Sequence, residues 1–199
     1  FNIGFDCNVA DMTASMKKKP FISGSLAYLL SIFVVLIKKK GAKLLIELDG
    51  EKKHCGPLLL TSVANGSYCG GGIKSNPLAS IKDGFINVNI IYNISRLNFL
   101  TKLPFYMKGT HINLRKIENV IFTTKCKKAV ITPLDGKMRL CADGEISDAG
   151  KTEFEIIKDG TEAYFSPSDM RIRVPEMNNF NSIRSFVKVV SHETAHSTG

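Results

Sequence analysis

Lys43-Leu44-Leu45-Ile46-Glu47-Leu48-Asp49-Gly50-Glu51, followed by the run from Gly56 to Ala64, is the stretch that decides the fold. Leu44, Ile46 and Leu48 recur at every second position, the period of a strand with one buried face. Asp49-Gly50 suits a tight turn, and an Asp-Gly pair between two apolar runs predicts a β-hairpin. Working outward, Phe85 to Tyr92 alternates as another strand. Shorter strands are expected near Glu118 to Thr124, Ala129 to Pro133, Met138 to Ala142 and Phe154 to Ile157. Upstream, Phe1 to Val9 reads as a strand with Gly4 at its centre.

Two helices interrupt this β pattern. Ser25 to Lys39 has Ser23 or Ser25 as its cap and Gly41 as its stop. Ser95 to Lys108 has Ser95 as cap, Gly109 at its end, and Pro104 as an expected kink. Short strands, turn residues and two or three helices point to a mainly β, β-sandwich-like α+β domain rather than a parallel α/β sheet. Composition shifts after Asp159-Gly160, so one domain is expected over residues 1–160. A short appendage follows over 161–199, with a strand-like Met170 to Val174 and a helix from Ser182 to His196.

The chain has 199 residues, 44% hydrophobic and 23% charged, enough for one substantial core. Its net charge of +9 predicts anionic partners. Lysines gather at 17–19, 38–40 and 125–128. Aromatic residues do not interleave with them as a base-stacking surface requires, so no nucleic acid is expected. The five cysteines form no C-x-x-C pair and are expected as buried free thiols in a reducing, cytoplasmic setting. The apolar run Leu26 to Ile37 is shorter than the roughly 20 residues that span a bilayer. Phe1 at the start and His196-Ser197-Thr198-Gly199 at the end read as cut ends of a longer chain.

Three segments carry chemistry. Asn65-Gly66 and Gly70 to Gly72 permit close backbone approach. Asp143-Gly144-Glu145 sets two carboxylates at i and i+2, which share a face if they lie in one strand. His192-Glu193-Thr194-Ala195-His196 places two imidazoles one helical turn apart, the spacing with which a helix binds zinc while the glutamate activates water.

Five ordered segments resemble the carboxyl-terminal half of the bacterial diacylglycerol and related lipid kinases. They are Asn2-Ile3-Gly4-Phe5-Asp6 with Gly24 to Leu29, Val63 to Gly72, Pro77 to Phe85, Lys108-Gly109-Thr110-His111, and Ala142 to Glu145. The resemblance implies that Asp143 is the general base for a lipid hydroxyl and that Glu145 supports it. It implies a magnesium ion at Ser80, Asp83 and Phe85, with Asp83 giving a carboxylate oxygen and the other two backbone carbonyls. It also implies ATP, held by an N-terminal nucleotide-binding domain whose Gly-Gly-Asp-Gly-Thr loop this sequence lacks. The expected partner is a lipid substrate at an anionic membrane surface, on the inner face and peripheral, with the oligomeric state left open.

Residues from Ala163 onward resemble the start of antirestriction-type zinc metallopeptidases. The match runs through Asp169 to Pro175 and Phe180-Asn181-Ser182 into His192 to Gly199. This second resemblance implies zinc at His192 and His196 with Glu193 as base, two of the three protein ligands that a catalytic zinc needs. An incomplete zinc hydrolase and a non-catalytic binding domain are the alternatives to the kinase reading.

Overall fold

The computed structural model describes residues 1–17, 24–38, 41–69, 72–142, 145–157, 164–166 and 171–175. The hairpin forms as expected: β2 (Ala42–Leu48) and β3 (Glu51–Ala64) pair antiparallel across Asp49-Gly50. Both turn residues have positive φ, 50° and 84°, the conformation that matches the right-handed twist of a hairpin. The other strands are β1 (Asn2–Gly4), β4 (Ile86–Tyr92), β5 (Ile121–Cys126), β6 (Lys128–Pro133), β7 (Met138–Ala142), β8 (Glu145–Ala149), β9 (Thr152–Ile157), β10 (Tyr164–Ser166) and β11 (Arg171–Pro175). The helices are α1 (Phe5–Lys17), α2 (Gly24–Lys38) and α3 (Arg96–Lys108).

One curled sheet holds these strands in the order β10-β11-β9-β6-β2-β3-β1-β7-β8, with β4 and β5 branching from β3. Every pairing is antiparallel except β9 with β11. The mainly β, sandwich-like α+β expectation is met, and the sheet continues across residue 160 through the β9–β11 pair. The helix expected over 182–196 lies outside the described residues.

Curling the sheet encloses Leu44, Ile46, Leu48, Val88, Ile90 and Phe154 on its inner face. The three helices cover part of the outer face, where Phe5, Val9, Ile32, Leu36 and Phe99 pack on Leu60, Ile91 and Ile121. A bulge sets this two-sided arrangement. Leu58 pairs with Tyr92 but Leu60 pairs with Ile91, so Leu59 is an extra residue that breaks the alternation. Leu58 therefore faces the inner core, while Leu59 and Leu60 both join the helix-side layer.

The amino-terminal segment departs from expectation. Only Asn2 to Gly4 is extended, and the chain turns into α1 at Phe5. Gly4 makes the switch at φ 97°, a conformation that L side chains rarely adopt. Beyond it, the buried Phe5, Val9 and Thr13 follow helical spacing, which a nine-residue window does not reveal. β1 pairs with β3 on one side and β7 on the other, and so joins the β7–β8 hairpin to the rest of the sheet. α3 keeps both expected caps: Ser95 accepts from the Asn98 N–H at 3.2 Å, and Gly109 adopts φ 73°. The helix runs through Pro104 without ending there.

All five cysteines are free. Cys7, Cys126 and Cys141 are buried and Cys69 partly so, whereas Cys55 is exposed rather than buried as expected. No helix among the described residues is long and apolar enough to cross a membrane.

Candidate functional site

Segments far apart in sequence meet on the helix side of the sheet. Asp6 stands in the first turn of α1, Tyr28 on α2, Tyr106 on α3, and Cys69 and Ser75 in the segment after β3. Asp6 keeps partial access to solvent, yet burial pushes its carboxyl up to about 6, with the amino terminus pulling it back only in part. Burial, seconded by the charge of Asp6, raises the phenols of Tyr28 and Tyr106 above their ordinary value. Cys7 is pushed up to about 12, mainly by burial and then by Cys141 and Asp6. These tyrosines and thiols therefore keep their protons near neutrality and can donate hydrogen bonds.

The cluster extends to His111, which stacks at 5.0 Å from Tyr106 and is 1% exposed. Burial lowers its pKa, which the nearby Phe105 carbonyl offsets in part. Neither ring nitrogen has a hydrogen-bond partner among the described residues. Beside it, Asn89 on β4 donates to the Asn76 Oδ1 at 2.6 Å and the Ser75 carbonyl at 3.0 Å, pinning residues 75–76 to the sheet. Asn65 Oδ1, Asn87 Nδ2 and Asn89 Oδ1 are buried and likewise unpartnered among the described residues. Buried polar atoms are ordinarily satisfied, so these atoms are open to water or a ligand. Asp6, Tyr28, Cys69 and His111 lie within the segments that resemble the lipid kinases, yet their sequence context assigns none of them a role. The missing signal was tertiary: only the fold brings these positions to one face.

Asp6 gives a pH signature. Above about pH 6 its carboxylate is charged in both states, and the folded state bears the desolvation cost. That cost fades as pH falls from about 6 toward 3.8, where folded and unfolded chains both become neutral there. Asp6→Asn is therefore expected to raise the melting temperature at about pH 8 and to give no gain at about pH 4. Thermal melts of both proteins across that range check it; an equal shift at both ends would refute the assignment.

The implied metal set behaves differently. Asp83 Oδ1 accepts the Phe85 N–H at 3.1 Å, and Oδ2 takes the Lys125 ammonium at 2.6 Å. Ser80 Oγ accepts the Lys82 N–H at 3.3 Å, and Gly84 sits at φ 70°, so residues 80–85 form a side-chain-braced turn. A divalent ion would find one carboxylate, with an ammonium already on it. Among the described residues no group of three or more His, Cys, Asp or Glu could hold a metal. Losing the turn bond and the half-exposed ion pair, Asp83→Ala is expected to cost about 1–2 kcal/mol. Thermal denaturation reads the effect.

Asp143 lies outside the described residues, as do Glu193, His192 and His196. β7 stops at Ala142 and β8 starts at Glu145, which pairs opposite Ala142 and is exposed.

Residues 1–162 match the model of the YegS C-terminal NAD kinase beta sandwich-like domain. Residues 147–199 match a zincin-like metallopeptidase family. A diacylglycerol kinase of Bacillus subtilis (strain 168) is 29% identical over 131 residues, covering 66% of this chain and 41% of that protein. The chain thus spans about two fifths of that relative's length. Among solved structures, one of a protein described as a putative diacylglycerol kinase from Bacillus anthracis str. Sterne shares 19% identity at a TM-score of 0.49, covering 76% of this chain and 49% of that one. Another diacylglycerol kinase structure from the same source shares 15% identity at a TM-score of 0.46, covering 73% and 60%.

Proposed function

Because residues 1–162 make this chain a member of the YegS C-terminal NAD kinase beta sandwich-like domain family, we propose that it is the substrate-side part of an ATP-dependent lipid kinase. In this reading a lipid hydroxyl attacks the γ-phosphorus of ATP. The new O–P bond forms as the bond to the departing ADP breaks, and Asp143 takes the hydroxyl proton. Phosphoryl transfer asks mainly for positioning and charge neutralisation, so one well-placed carboxylate and a nucleotide-holding partner domain suffice in kind. Glu145, the first residue of β8, supports Asp143 in this role. ATP would be held by the N-terminal nucleotide-binding domain, and the magnesium implied by the resemblance by Asp83 with the Ser80 and Phe85 carbonyls.

The observation that carries the lipid side is the helix-side cluster. Asp6, Tyr28, Tyr106 and His111 are polar groups set in a layer otherwise made of Phe5, Ile32, Leu36 and Phe99. An apolar wall with a few convergent donors is how sites orient an acyl-bearing alcohol. The test joins the chain to the nucleotide-binding domain of a family member and measures transfer of labelled phosphate to a panel of hydroxyl lipids. No transfer to any lipid, from a folded and ATP-binding fusion, overturns the reading.

The match of residues 147–199 to the zincin-like family favours a second reading for that segment alone. There His192 and His196 would bind zinc, with Glu193 as base and a third ligand from elsewhere.

A further inference from the structure

α2 is apolar on both of its faces. Ala27, Ser31, Ile32, Val35 and Leu36 are buried against the rest of the molecule. On the opposite side Leu26, Leu30, Phe33 and Ile37 are 45%, 39%, 53% and 72% exposed. Steps of four, three and four residues stack these four side chains into one stripe along the helix. A helix that is hydrophobic all round is ordinarily covered all round. Its orientation is fixed, since Arg96 donates to the Leu36 carbonyl at 3.1 Å and the Ile37 carbonyl at 2.7 Å, bracing the C-terminal end of α2.

The surrounding sequence says what covers the stripe. Between Asp11 and Glu47 there is no acidic residue, whereas lysines stand at 17–19 and 38–40 on either side of α2. An exposed apolar stripe bracketed by cations and no anions is complementary to an anionic bilayer: the side chains enter the acyl boundary while ammonium groups meet lipid phosphates. Interfaces between domains of one chain are ordinarily more polar than this. At 15 residues the helix is too short to span the membrane, so it lies in the interface.

We propose that the outer face of α2 is the membrane-contacting surface of this protein, seating Leu26, Leu30, Phe33 and Ile37 in an anionic lipid leaflet. The choice of a bilayer as occupant rests on the lipid-kinase reading and deepens it by assigning the docking element.

The test is co-sedimentation of the 199-residue chain with vesicles of pure phosphatidylcholine or of phosphatidylcholine with phosphatidylglycerol, without ATP. The chain is expected to bind the anionic vesicles at least about tenfold more strongly, with the difference shrinking as salt rises. Phe33→Glu with Ile37→Glu is expected to lower that binding at least about tenfold at an unchanged melting temperature. Phe33→Ser with Ile37→Ser serves in its place if the first pair fails to fold. Full binding by a folded variant, or no preference for the anionic lipid, overturns the proposal. So does a stripe that instead mediates self-association, seen as a dimer that the double variant dissociates without any vesicle binding. A stripe protected by the nucleotide-binding domain in the fusion, with vesicle binding lost, assigns it to that domain and equally overturns it. Vesicle binding needs no phosphoryl transfer, so it can succeed where the kinase reading fails and fail where that reading holds.

Discussion

Asp143→Asn, in the chain joined to a family nucleotide-binding domain, is expected to lower kcat for lipid phosphorylation about 10²–10⁴-fold, the usual worth of a positioned general base. KM for lipid and ATP is expected to change little, because the amide keeps the size of the carboxylate and loses only its ability to take a proton. The pH profile sharpens the outcome. Loss of a base removes the rising acidic limb of the rate profile, whereas a merely structural substitution lowers the whole curve in proportion. Transfer that proceeds at the unaltered rate in the Asn variant refutes the base assignment. Glu145→Gln serves as the comparison: Glu145 begins β8 and is exposed, so a smaller loss is expected there.

The second large effect concerns the fold. Gly4→Ala is expected to destabilise by roughly 2–4 kcal/mol, through strain at φ 97° and a Cβ 2.7 Å from the Leu59 carbonyl oxygen. For a domain of this size that corresponds to a fall of about 5–15 °C in melting temperature. Gly50→Ala isolates the two causes. Gly50 also has a positive φ, 84°, but a Cβ there meets nothing within 4 Å, so it should show the conformational part alone, about 1–2 kcal/mol. Equal losses at the two positions would mean that the close approach to Leu59 counts for nothing. The expected ordering follows from the backbone being the obstacle at Gly4, since a carbonyl oxygen in a paired strand cannot rotate aside as a side chain can.

What was legible in the sequence was what is local. Leu44, Ile46 and Leu48 declare a strand because period-two burial needs no partner to be recognised, and Asp49-Gly50 declares the turn by its own conformational preference. Ser95 and Gly109 frame α3 for the same reason. The switch at Gly4 was hidden, because a glycine in an extended run is compatible with either continuation. The bulge at Leu59 was hidden too, since three consecutive leucines, Leu58 to Leu60, conceal which of them is the extra residue. At the site, the motif positions were visible but their meeting was not. Asp6 and Tyr106 are 100 residues apart in number, and the burial that raises the tyrosine, seconded by the charge of Asp6, is a property of α1 and α3 packing on one sheet face. Asp83 shows the converse. Its turn was readable from Asp83-Gly84, but the ammonium of Lys125 arrives from 42 residues away on β5, and a resemblance to other proteins does not carry a partner of that kind.

The placement of β1 between β3 and β7 has a mechanical consequence. Three residues, Asn2 to Gly4, are the seam along which the β7–β8 hairpin is stitched to the larger sheet. A pull on the chain at residue 1 loads that seam in the direction that unzips it, with Cys7, hydrogen-bonded to the Asn2 and Arg139 carbonyls, as the next stitch.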